Sequence, residues 1–179
     1  AILFGDAATA TLLSRDGGPG PPFGILNRPV LAAKPDRQLS LKVSLPGPCA
    51  AGQGCGENGA TCATGLIEMN GRPVFGEAVR AMHQALRDAC AASRIDINDL
   101  KLIVPHQANS RIIEAIASRL THQADRVLNR VAETGNTSSS SIPLALASAE
   151  IDANRSIGLC AFGGSFTYDA AILKPSCAK

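Results

Sequence analysis

Between residues 72 and 104 the apolar side chains change period, and that change sets what the chain can fold into. Val74, Phe75, Ala78, Val79, Met82, Leu86 and Ala89 recur at spacings of three and four, so they line one face of a helix with Pro73 in its first turn. A capped turn over residues 96–100 follows, and then the run Leu102-Ile103-Val104, a short buried strand. The alternation continues. Residues 110–120 form a second amphipathic helix buried through Ile112, Ile113, Ile116 and Leu120, and residues 142–149 a third, apolar helix. Residues 156–162, the turn Gly163-Gly164-Ser165 and residues 166–173 make a strand-turn-strand hairpin. Helices alternating with strands give a layered α/β fold.

The first third of the chain is less regular. Residues 1–13 alternate small and apolar side chains around Gly5-Asp6, which predicts a strand, a tight turn and a second strand, both buried. Residues 14–22 are a loop, because proline removes donors and glycine raises the entropy cost of ordering. Residues 39–45 alternate apolar with polar side chains as a half-buried strand does, and residues 46–59 are irregular and Gly-rich.

Composition narrows the function classes. With 45% hydrophobic residues the 179-residue chain can bury a core, which excludes a disordered tail. A net charge of +2, one Tyr, no Trp and no basic block offer no surface for nucleic acid. No apolar run approaches the ~20 residues that span a bilayer. The N-terminus has neither an initiating Met nor a basic region, so the chain is expected to start in mid-protein or to be processed. The six cysteines contain no C-x-x-C pair and are expected to be reduced, cytosolic thiols. Cys49, Cys55 and Cys62 lie six and seven residues apart without a nearby His, which is not zinc spacing; no metal is expected.

Two segments carry chemistry. Leu102-Ile103-Val104-Pro105-His106-Gln107-Ala108-Asn109 places a His at the end of the short strand, and Thr134-Gly135-Asn136-Thr137-Ser138 places a side-chain amide in a turn leading into a small-residue helix. Two hydrogen-bond donors can thereby converge on one carbonyl oxygen. A lone His after a strand is usually structural, and Asn after Gly is often a turn former. Here the two motifs occur together, which favours function. His83 and His122 have no such company and read as helix-surface residues. Neither segment supplies a nucleophile.

These blocks resemble the condensing enzymes of the thiolase superfamily, and most closely the β-ketoacyl-acyl-carrier-protein synthase III group. Five match in the family's order: Phe4-Gly5-Asp6, Met69-Asn70-Gly71-Arg72-Pro73-Val74-Phe75, Pro105-His106-Gln107-Ala108-Asn109, Gly135-Asn136-Thr137-Ser138 and Ala161-Phe162-Gly163-Gly164. Members are nearly twice as long and consist of two similar α/β halves. The resemblance thus implies a thiolase-like layered fold, with the end of the first half at residues 1–45, a Gly-rich loop at 46–65 and the complete second half at 66–179.

It also implies an acyltransferase that joins a Cys-bound acyl group to a malonyl thioester by decarboxylative Claisen condensation, in fatty acid or polyketide synthesis. His106 and Asn136 take the catalytic roles, steadying the enolate left by loss of carbon dioxide with charge-directed donors. The backbone of Gly164 supplies a donor to the acyl oxyanion, where lack of a Cβ permits close approach. Met69, Gly71, Phe75, Ala108, Asn109, Ile112 and Phe162 match the pantetheine tunnel, although the apolar ones fit ordinary core as well. Arg111 and Arg119, two turns apart on one helix, match the docking site for an acidic carrier protein. Ser165, Tyr168 and Asp169 depart from the family's usual residues there, as does Gly76 at a position that is often basic.

The implied substrates are acyl-coenzyme A and a malonyl carrier protein, handled as coenzyme A or phosphopantetheine thioesters with no permanently bound cofactor. The enzyme is expected to be cytoplasmic and a homodimer. The nucleophilic cysteine of the family lies upstream of the Phe4-Gly5-Asp6 block, so it is expected on an N-terminal half or a partner chain, leaving this chain inactive alone. Cys62, in Ala60-Thr61-Cys62-Ala63-Thr64-Gly65, is the weaker candidate, since a Gly-rich loop rarely lowers a thiol pKa; Cys90 and Cys160 read as small buried hydrophobes. The competing reading is a non-catalytic thiolase-fold subunit that completes a partner.

Overall fold

A computed structural model describes residues 3–15, 24–36, 40–43, 67–120, 124–151 and 155–174. The strands are β1 (Ile25–Leu26), β2 (Val30–Ala33), β3 (Leu41–Val43), β4 (Ile67–Met69), β5 (Leu102–Pro105), β6 (Ile157–Phe162) and β7 (Thr167–Lys174). The helices are α1 (Gly71–Ser93), α2 (Ser110–Ala117), α3 (Val131–Thr134) and α4 (Ser141–Ala147).

β5, β6 and β7 run side by side in a five-stranded mixed sheet, with β5 at one edge parallel to β6 and β6 antiparallel to β7. β1 and β2 both pair with the far edge of β7, so residues 25–33 join the same sheet. β3 and β4 form a separate antiparallel pair that leads into α1, and Asn70 N donates to Ser40 O at 2.7 Å.

Alternation along the strands sorts the core into two layers. Ile103, Cys160, Phe162, Ala170 and Ile172 pack on one face against Val74, Ala78, Met82 and Leu86 of α1 and Ile112 and Ile116 of α2. Val104, Ile157 and Leu173 pack on the other against Ala145 of α4. Helices therefore cover both faces, as the fold class requires. The fit on the α1 side is close: a Cβ at Gly158 would lie 2.7 Å from Leu86 Cδ1 and 2.8 Å from Leu100 Cδ1. Outside the core, Glu77 of α1 holds Lys34 at 3.0 Å and also Arg80, which ties the end of β2 to the helix.

Several expectations need correction. Residues 3–15 form no hairpin and are not buried; only Phe4 forms a bridge, and Leu12 and Leu13 are exposed. A strand needs a neighbouring backbone for its amides, and beyond Gly5 this segment has none in a ladder. The second helix stops at Ala117, so Arg119 lies in the turn that follows rather than on the helix with Arg111, although both are exposed. The third helix begins at Ser141, after a 3₁₀ turn at Ser138–Ser140, and ends at Ala147. The turn between β6 and β7 extends to Phe166, and Ser165 and Phe166 have positive φ of 55° and 50°. The Gly-rich loop at 46–65, with Cys49, Cys55 and Cys62, lies outside the described residues, as does His122.

Candidate active site

His106 follows directly on β5, and its N–H donates to Cys160 O at 2.8 Å, continuing the parallel ladder with β6 by one residue. The backbone under the ring is therefore fixed by the sheet. The next residue, Gln107, is fully buried, and its amide is spent on backbone: Nε2 donates to Pro105 O at 2.7 Å and Leu128 O at 3.2 Å, while Oε1 accepts from Arg130 N at 2.7 Å. With Leu128 N donating to Ile103 O, these bonds lash residues 128–130 alongside β5. Sequence reasoning gave Gln107 no role. Its signal was a long amide between a strand end and a helix cap, a place where a buried polar group must find backbone partners.

From Arg130 the chain runs through α3 to Gly135, whose φ of 64° suits glycine, and then to Asn136. Asn136 is gripped by its backbone on both sides: its N–H donates to Leu3 O at 2.8 Å and its O accepts from Gly5 N at 3.0 Å. The approach is close enough that a Cβ at Gly5 would fall 1.9 Å from Thr134 O. The Phe4-Gly5-Asp6 block thus abuts the Gly135-Asn136 turn.

The two polar side chains are held in the same manner. Asn136 Oδ1 accepts from Ser138 N at 2.9 Å, and His106 Nδ1 lies 2.7 Å from Ser141 Oγ, which also accepts from Gln107 N at 3.2 Å. No described residue bonds to Asn136 Nδ2 or to His106 Nε2. Each group is anchored by one polar atom, and the other has no partner among the described residues. Burial holds the His106 pKa below its ordinary value, which favours the neutral ring.

The remaining candidates divide. Ala108 packs against the core, Asn109 caps α2 by accepting from Ile112 N at 3.0 Å, and Ile112 and Phe162 are core members beneath the same end of the sheet. Met69 and Phe75 are instead 51% and 39% exposed, and Gly71 is exposed at the start of α1. Gly164 is exposed too, and a Cβ there would meet nothing within 4 Å, so this chain by itself does not require glycine at that position. Gly163 is the tighter residue, with its N–H on Thr167 O at 2.8 Å and a virtual Cβ 3.2 Å from Thr167 Oγ1. A cavity of about 260 Å³ lined by Lys101, Leu102, Glu150, Ile151, Arg155 and Ile157 lies at the opposite end of β5 from His106.

Neither described cysteine suits nucleophilic attack. Cys160 is buried, and burial together with Asp169 pushes its thiol up to about 12; burial together with Asp96 pushes Cys90 up to about 11. Half-buried His83 is lowered by desolvation and by the nearby Arg119 and Arg87. Among the described residues there is no group of three or more His, Cys, Asp or Glu side chains placed to hold a metal ion, and no helix long and apolar enough to cross a membrane.

Residues 90–175 match the model of the 3-oxoacyl-[acyl-carrier-protein] synthase III C-terminal family. The β-ketoacyl-[acyl-carrier-protein] synthase III of Nitratidesulfovibrio vulgaris (strain Miyazaki F) is 39% identical over 180 residues, covering 96% of this chain and 51% of the relative. That of Xanthomonas campestris pv. campestris is 38% identical over 177 residues, with 97% and 51% covered. Among solved structures, synthase III from Thermus thermophilus superposes with a TM-score of 0.71 at 35% identity, over 86% of this chain and 47% of that one. The chain spans about half the length of the relatives it matches. The fold is the thiolase fold of these enzymes. The chain belongs to the β-ketoacyl-acyl-carrier-protein synthase III family, of which it represents the C-terminal portion.

Proposed function

We propose that this chain supplies the enolate-stabilising half of the active site of a β-ketoacyl synthase III, an acyltransferase. A malonyl thioester loses carbon dioxide, and the electrons of the broken bond form an enolate whose oxygen takes hydrogen bonds from His106 Nε2 and Asn136 Nδ2. The enolate carbon attacks the carbonyl of an acyl group held on a cysteine thioester, and the cysteine thiolate leaves. Neutral donors serve this chemistry because the negative charge they meet develops only on the way to the transition state. The observation that carries the reading is the matched anchoring of the two groups, each with one polar atom fixed and the other unpartnered among the described residues.

The acyl-bearing cysteine belongs to an N-terminal half or partner chain. Coenzyme A and phosphopantetheine thioesters are the substrates, with no cofactor permanently bound. Gly164 N–H donates to the acyl oxyanion, Met69, Gly71, Phe75, Ala108, Asn109, Ile112 and Phe162 border the pantetheine arm, and Arg111 and Arg119 face an acidic carrier protein. The exposure of Met69 and Phe75 supports contact with something beyond this chain's own core. The working enzyme is a cytoplasmic homodimer.

The test is intact mass after incubation with an acyl-coenzyme A. This chain alone should acquire no acyl adduct, because neither donor can hold a covalent acyl group; mixed with a cysteine-bearing first half it should yield the condensed product. A stoichiometric adduct on this chain, particularly on Cys62, would overturn the division of roles.

A further inference from the structure

We propose that Ser141 is a positioning residue for His106: its hydroxyl donates to Nδ1 and thereby fixes the neutral ring as the tautomer that carries its proton on Nε2. Ser141 is 2% exposed at the first residue of α4, and its Oγ lies 2.7 Å from His106 Nδ1. A serine hydroxyl has one proton to give and two lone pairs to receive with. One lone pair is taken by the backbone N–H of Gln107 at 3.2 Å, and among the described residues no acceptor other than His106 Nδ1 is placed for the proton.

The opposite tautomer puts a proton on Nδ1. Ser141 Oγ would then accept twice, and its own buried proton would be left without an acceptor, which folded proteins avoid. The bond has a second consequence. Ser141 closes the 3₁₀ turn that begins two residues after Asn136, so the side chain that orients one donor grows from the element that carries the other.

The inference rests on His106 acting as a donor, yet it can be tested without substrate. Long-range ¹H–¹⁵N spectra of the chain labelled at histidine, with His106 assigned through His106→Gln, should show a pyrrole-type Nε2 and a hydrogen-bonded pyridine-type Nδ1. Ser141→Ala should move Nδ1 to the position of a free pyridine-type nitrogen or admit the second tautomer, and Ser141→Thr, which keeps the hydroxyl, should restore the parent spectrum. A protonated Nδ1 in the unsubstituted chain, or an Nδ1 resonance unmoved by Ser141→Ala, would overturn the proposal. If Ser141→Ala does not fold, the unsubstituted chain and Ser141→Thr still decide it. Failure of malonyl decarboxylation with the Nε2–H tautomer in place would instead count against the functional reading alone.

Discussion

The backbone beneath His106 and the backbone beneath Asn136 are supported by very different amounts of structure. His106 ends a strand whose Ile103, Val104 and Pro105 are buried, which pairs with β6 along its length and is clamped by Gln107. Asn136 sits between a four-residue helix and a 3₁₀ turn, and among the described residues its backbone pairs with Leu3 and Gly5 of a segment whose Leu3 and Phe4 are half exposed. One side chain is set by the core and the other by a bridge at the edge of it. Perturbations that separate the two arms should therefore exist, and the loop arm should yield first.

The largest effect is expected where both arms meet. Gln107→Glu would turn an oxygen toward Pro105 O and Leu128 O in place of the donor and bury a charge, so stability should fall by about 3–5 kcal/mol. Urea denaturation measures it, and a midpoint like that of the parent would mean that Gln107 is not the clamp. A smaller and one-sided effect is expected from Gly5→Ala, where the new methyl collides with Thr134 O and the backbone must shift, at about 1–3 kcal/mol. Amide resonances around Asn136 should move while those of His106 and Cys160 stay. Equal movement at both would erase the distinction between the arms.

The smallest effect lies away from the site. Arg80, then Lys34, hold the Glu77 carboxyl below its ordinary value of 4.5. A lowered folded pKa adds stability that is present above the unfolded pKa and lost as pH falls through the folded one. Glu77→Gln should thus cost about 0.2–1 kcal/mol at pH 7 and nothing once the pH has fallen through the lowered folded pKa. A penalty that persists in acid would show that packing, not charge, is at stake.

What was legible in the sequence follows the same division. α1, β5, and the β6–β7 hairpin are written in local periodicity, and His106 and Asn136 in short motifs. β1 is two residues long and exists only because β7 offers it an edge, so no window around Ile25 contains the reason for it. Residues 3–15 carry a strand-like alternation but form a single bridge, at Phe4, and Arg119 has helical spacing but lies past the last helical residue. Apart from Pro105, the partners of the Gln107 and Ser141 side chains lie 21 to 35 positions away, which composition and spacing do not encode. The tunnel residues were read as a set, yet Ile112 and Phe162 are core while Met69 and Phe75 are surface in this chain.

The most direct test compares His106→Ala and Asn136→Ala, each checked for an unchanged melting profile, in the presence of a first half that bears the cysteine. Malonyl thioester decarboxylation should fall by about 10²–10³ in each variant, the usual consequence of removing one oxyanion donor, while acylation of the cysteine proceeds at nearly the parent rate. Parent-like decarboxylation in either variant, or loss of acylation in both, would contradict the assignment of these two side chains to the enolate.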